Sequence, residues 1–133
     1  MDDNSRRKAA LERAAATLQI AGKAFLVALD GDLRNVAVWD ITRAVCEEVR
    51  DACEATQEFC EMLANDGIKF WEAWERCCAA RETVLVAETL EAFDGFTEEL
   101  NVLWHLCEDL HWGAMRELKK CVLPENGLTS LGE

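Results

Sequence analysis

From Trp39 to Leu63 the apolar positions repeat in sevens. Trp39, Cys46, Cys53 and Cys60 stand seven residues apart, and Thr42, Val49, Thr56 and Leu63 follow each of them by three. This is the seam of a long helix packed lengthwise against other helices. At about 100° per residue, the opposite side of the same helix collects Asp40, Glu47, Asp51, Glu54, Glu58 and Glu61. One face is apolar and rich in thiols, and the other is an acidic ridge.

The same reading extends over the rest of the chain. Leu11, Leu18 and Phe25 repeat at seven with Ala14, Ala21 and Ala28 between them, which predicts a first helix capped by Asn4 or Ser5 and able to admit a close neighbour. Asp30-Gly31-Asp32 breaks it, and Asp32 or Asn35 can cap the second. Asn65-Asp66-Gly67 places a glycine past the second helix's end, and a third helix then starts near Ile68. Its apolar positions move round beyond Val86 to Leu90 and Phe93, a sign of a kink or a change of neighbour. Asp94-Gly95-Phe96-Thr97 is the third punctuation. A fourth helix follows, with Leu100, Leu103, Cys107, Leu110, Ala114, Leu118 and Cys121 on one side, until Pro124 stops it. Short linkers force neighbouring helices to run antiparallel. The expectation is an all-α, up-down-up-down four-helix bundle over residues 1–124, followed by a short disordered tail over 125–133.

Composition narrows this further. A chain of 133 residues makes one domain with a core of its own. The seven cysteines are odd in number, Cys77 and Cys78 are adjacent, and Cys46, Cys53 and Cys60 lie about 10 Å apart along one helix face, beyond disulfide reach. They read as free thiols of a reducing, cytoplasmic compartment. The opening MDDNSRRKAALERAAA lacks the apolar core of a signal peptide, and no run approaches the ~18 apolar residues of a membrane span. The formal charge of −12 is unevenly placed: residues 6–23 hold five cations against Glu12, whereas residues 35–66 hold eight acids against Arg43 and Arg50. Such a balance disfavours direct nucleic-acid binding. The basic first helix is expected to be solvated or paired with the acidic second.

Three arrangements could carry chemistry. Glu108-Asp109-Leu110-His111 has the Glu-x-x-His spacing of di-metal carboxylate bundles, but that design needs the motif twice and the other histidine, His105, lies on the same helix. Counting levels from turns at Asp66 and Gly95 puts Cys53, Cys77 or Cys78, and His111 in one layer, a soft site for Zn²⁺ or Cu(I) if the thiols ionise. Glu47-Glu48-Val49-Arg50-Asp51-Ala52, followed by Glu98-Glu99-Leu100-Asn101-Val102-Leu103-Trp104, resembles the two acidic helices of the all-α nucleotide pyrophosphohydrolases. The resemblance implies carboxylates holding magnesium at a triphosphate, although no aspartate follows the second acidic pair as that family's pattern requires.

The remaining signal is surface. Trp112 sits off the apolar sector of its helix with His105 and Leu123, the position of a partner or subunit contact that a second copy of the chain could also fill. The expected function is a non-enzymatic interaction protein: an adaptor, an inhibitor or immunity-type protein, or an assembly subunit. Its ridge would meet a basic protein, including a nucleic-acid-binding one whose natural ligand the carboxylates imitate. Carboxylates three to four residues apart repeat at ~5–6 Å, comparable with the spacing of phosphates.

Overall fold

The computed structural model describes the backbone of residues 2–31 and 35–131, with side chains over the same ranges as far as Cys121. Among these residues there are four helices and no strand: α1 (Asp3–Asp30), α2 (Val36–Glu54), α3 (Glu61–Ala87) and α4 (Leu90–Leu131). Consecutive helices pack side by side and α4 closes back on α1, so α1 and α3 are diagonal, as are α2 and α4. With the short connections, this is the antiparallel up-down-up-down bundle the periodicity predicts. No helix among the described residues is long and apolar enough to cross a membrane.

Side chains cap the starts of α1, α2 and α4, whereas α3 opens at Cys60 without a side-chain cap. The Asp2 carboxylate accepts from the Ser5 amide at 2.7 Å, so the cap falls before the Asn4 or Ser5 expected. Asn35 caps α2 through the Val38 amide at 3.2 Å, as expected. The Thr89 hydroxyl accepts from the Ala92 amide at 3.1 Å and opens α4.

Two breaks lie elsewhere than predicted. α2 stops at Glu54 and the chain turns over residues 55–60, so Asn65, Asp66 and Gly67 lie inside α3. Thr56 stands at the stop: its hydroxyl and amide both reach the Cys53 carbonyl, at 2.6 and 3.0 Å, and its own carbonyl takes the Cys60 amide at 2.7 Å. The second displaced break is at Glu88-Thr89, where Glu88 adopts the left-handed conformation (φ 50°, ψ 33°) and donates its amide to Val84. Asp94, Gly95 and Phe96 are therefore helical, and the shift of apolar positions beyond Val86 marks this break. α4 also continues past Pro124, where a stop was expected, to Leu131. One proline removes a single backbone hydrogen bond, which kinks a helix more readily than it ends one. The side chains of the expected tail, 125–133, lie outside the described residues.

The seam is buried as read. Trp39, Thr42, Cys46, Val49, Cys53, Thr56 and Leu63 are all in the core, and Cys60 is half-buried. The Thr42 hydroxyl donates to the Val38 carbonyl at 2.8 Å, so neither buried threonine is left unsatisfied. Aromatic rings bridge both diagonals, Phe25 lying 6.0 Å from Phe70 and Trp39 meeting the Phe96 ring edge-on at 5.6 Å, while Trp39 also stacks on Trp74 of the neighbouring α3 at 4.7 Å. The basic arm is largely tied down. Arg6 pairs with Glu58 at 2.9 Å, Arg7 with Glu117 at 3.2 Å, and Arg13 with Glu48 at 4.0 Å.

Gly67 is a packing residue instead of a terminator. A Cβ added there would stand 2.6 Å from the Cβ of Cys53, so the missing side chain is what lets α2 and α3 approach. Gly67→Ala should destabilise the protein by roughly 1–3 kcal/mol, because overpacking outweighs alanine's helix propensity of about 1 kcal/mol over glycine. Adding Cys53→Gly should recover part of the loss in urea denaturation. A Gly67→Ala protein as stable as the parent would show that the two helices can separate at no cost.

Candidate functional site

The thiol and histidine layer does not assemble. Moving the α2–α3 turn from residue 66 to residues 55–60 takes Cys53 away from the level of Ala79 and seats it against Gly67. Cys77 and Cys78 neighbour Cys46 instead, and Cys53 neighbours Cys107, whose thiol donates to the Leu18 carbonyl at 3.2 Å. His111 stands in the outer groove between α1 and α4 with Leu26 and Trp112. Among the described residues no group of three or more His, Cys, Asp or Glu side chains converges as a metal ion would require. Burial pushes the Cys53 and Cys107 thiols up to about 12 and those of Cys46 and Cys77 higher still. Near neutral pH they are protonated packing groups, without the thiolate that nucleophilic attack requires.

The acidic pairs that resemble a magnesium site also stay apart. Glu47, Glu48 and Asp51 project from the exposed face of α2, while Glu98 and Glu99 belong to the diagonal helix α4. Glu99 lies 3.8 Å from Arg76, facing α3. One cation could not collect oxygens from both sets.

What the fold does present is a surface. Asp40, Glu47, Asp51, Glu54, Glu58 and Glu61 are all exposed. Only the first four share α2; Glu58 sits in the turn under Arg6, and Glu61 opens α3. Asp51 has Arg50 beside it at 3.2 Å, and that guanidinium covers the Trp71 ring at 4.4 Å. Among the described residues Asp40, Glu47 and Glu54 make no ion pair, so their charge faces solvent.

Beside the ridge runs an apolar groove that periodicity toward the core conceals. On the α1 side it is lined by Ile20, Ala24 and Val27, and on the α2 side by Val38, Ile41 and Val45. Ile20, Val27 and Ile41 are 59, 58 and 60 % exposed. The groove encloses about 300 Å³, and a second hollow of about 200 Å³ continues it past Thr17 and Ala44 to Glu48. The signal was present as a second apolar stripe on each helix, at i, i+4, i+7 and at i, i+3, i+7. Trp112, 57 % exposed, belongs to a separate groove of about 230 Å³ between α1 and α4, which also holds Leu26, Trp104 and His111. His105 is exposed with its ring against Trp104, and the side chain of Leu123 lies outside the described residues.

Fold and surface together define an acidic four-helix bundle with two apolar grooves bordering α1. Comparison with protein families, curated proteins and solved structures finds no match to this chain.

Proposed function

We propose that this is a non-enzymatic interaction protein, an adaptor, inhibitor or assembly subunit that engages a basic surface of a protein partner through the acidic face of α2. The observation that carries the reading is the run of exposed carboxylates Asp40, Glu47 and Glu54 on one helix, none of them in an ion pair among the described residues. A helix holds such charges at fixed intervals of about 10 Å per two turns, a rigid array for a partner's Lys or Arg side chains. A nucleic-acid-binding surface is one partner of this chemistry, because it is built to receive regularly spaced negative charge.

Reversing Asp40, Glu47 and Glu54 to lysine should abolish capture of the partner from an extract of the source cell while leaving helicity intact. The same loss should follow from raised salt, since charge pairing at a surface is screened. An equal reversal on α4, at Glu91, Glu98 and Asp109, controls for net charge and should leave capture in place. Identical capture by the α2 reversal and the parent would remove the ridge from consideration.

A further inference from the structure

We propose that the groove between α1 and α2 receives a helix from the partner, with apolar residues at i, i+3 or i+4, and i+7 and with Lys or Arg along the one flank that faces α2. This rests on the preceding reading of the ridge and adds the form of the ligand.

Length, backbone chemistry and charge each point the same way. Thr17 to Val27 along α1, and Val38 to Glu48 along α2, both span about 15 Å, which accommodates the roughly 10 Å between the first and last anchor of a two-turn stripe. The walls are aliphatic side chains on regular helices, so the groove has no free backbone edge with which an extended strand could pair. A strand laid here would leave its own amides and carbonyls against Ile20, Val27 and Ile41. Polyproline ligands dock between aromatic rings, and this groove contains none. A helix satisfies its backbone internally and presents only side chains, which suits a trough between two helices.

The two rims differ in sign. On the α2 side Glu48 lines the groove, and Asp40 and Glu47 are exposed one helical turn either side of the lining residue Ala44; on the α1 side Lys23 lines it. Arg13, the other cation on that side, lies 4.0 Å from Glu48. A helix with cations on both flanks would meet Lys23, and one with cations only toward α2 would not. A second copy of this chain fits poorly as the occupant, because its own surface carries the same excess of acid, −12 per chain.

The test uses the full chain and two synthetic peptides of about 18 residues, roughly five turns. One has leucines on a single helical stripe and lysines on one flank only; the other has the same composition with the leucines scrambled. The striped peptide should bind about tenfold or more tightly than the scrambled one, and should gain helicity on binding. Ile41→Asp and, separately, Ile20→Asp should each erase that preference; both sites are more than half exposed, so the fold should tolerate the change. Lys23→Glu should strengthen binding of a peptide carrying lysines on both flanks. Equal, salt-sensitive binding of the two peptides would overturn the groove while leaving the ridge reading intact. No salt-sensitive binding of either peptide would overturn both. Parent chains that dimerise, and are made monomeric by Ile41→Asp, would show that a second copy covers the groove and so overturn the proposal.

Discussion

Under reducing conditions, raising the pH above about 9 should unfold this protein well before pH 12. Cys46, Cys53, Cys77 and Cys107 are each no more than 1 % exposed, and burial lifts their thiols far above the ordinary value of 9.0. The native state keeps protons that the unfolded chain gives up above that value. The unfolded state then binds fewer protons, and stability falls as pH rises. The stabilisation is complete below about pH 9 and drains until the native thiols themselves ionise, near 12 for Cys53 and Cys107. Each thiol contributes a slope of up to about 1.4 kcal/mol per pH unit, so four contribute up to about 5.5 kcal/mol per unit against a total of roughly 5–15 kcal/mol for a domain. Circular dichroism against pH measures the loss, and thiolate absorbance should rise with it. The chain has no tyrosine, so no phenol ionisation overlaps that signal. A Cys46→Ala, Cys77→Ala variant should be less stable at pH 7 but should show a shallower alkaline slope. Unchanged helicity at pH 12 would refute the account.

Replacing Trp39 by alanine should cost about 3–5 kcal/mol, the range for emptying a large aromatic site in a core. Trp39 is 5 % exposed, stacked on Trp74, edge-on to Phe96, and has the Arg81 guanidinium 4.8 Å from its ring centre. The variant loses the ring contacts of α2 with α3 and α4 together with this cation–π contact. Trp39→Phe keeps a ring in the site and should cost clearly less. The urea midpoint reads the stability, and near-ultraviolet circular dichroism should lose the signal of the Trp39–Trp74 pair. A loss below about 1 kcal/mol in Trp39→Ala would mean that the neighbouring rings close the cavity.

Much of the candidate surface was legible because it depends on single helices. The angular positions of Asp40, Glu47, Asp51 and Glu54 follow from residue spacing, and the structure leaves all four exposed. The Ile20–Ile41 groove was less legible. Each stripe shows on its own helix, but only the packing of α1 against α2 makes the two into one trough. Trp112 was readable as outward-facing, while its groove neighbour Leu26 comes from α1, which the sequence separates widely from α4.

By itself, the sequence determined the helical class, the first break near Gly31, the Asn35 cap and the identity of the buried face from Trp39 to Leu63, since all of these are local. Tertiary structure alone decided where the second turn falls and therefore what stands level with what. Glycine at 67 is compatible both with ending a helix and with letting a neighbour approach, and the Cβ of Cys53 at 2.6 Å from the vacant position selects the second role. In an antiparallel pair, a turn moved by n residues shifts the partner by 2n. A displacement of about six residues therefore slides α3 by about 18 Å against α2. That slide separates Cys53 from Ala79 and dissolves the metal layer, while the faces, which depend only on angle, remain where the periodicity put them.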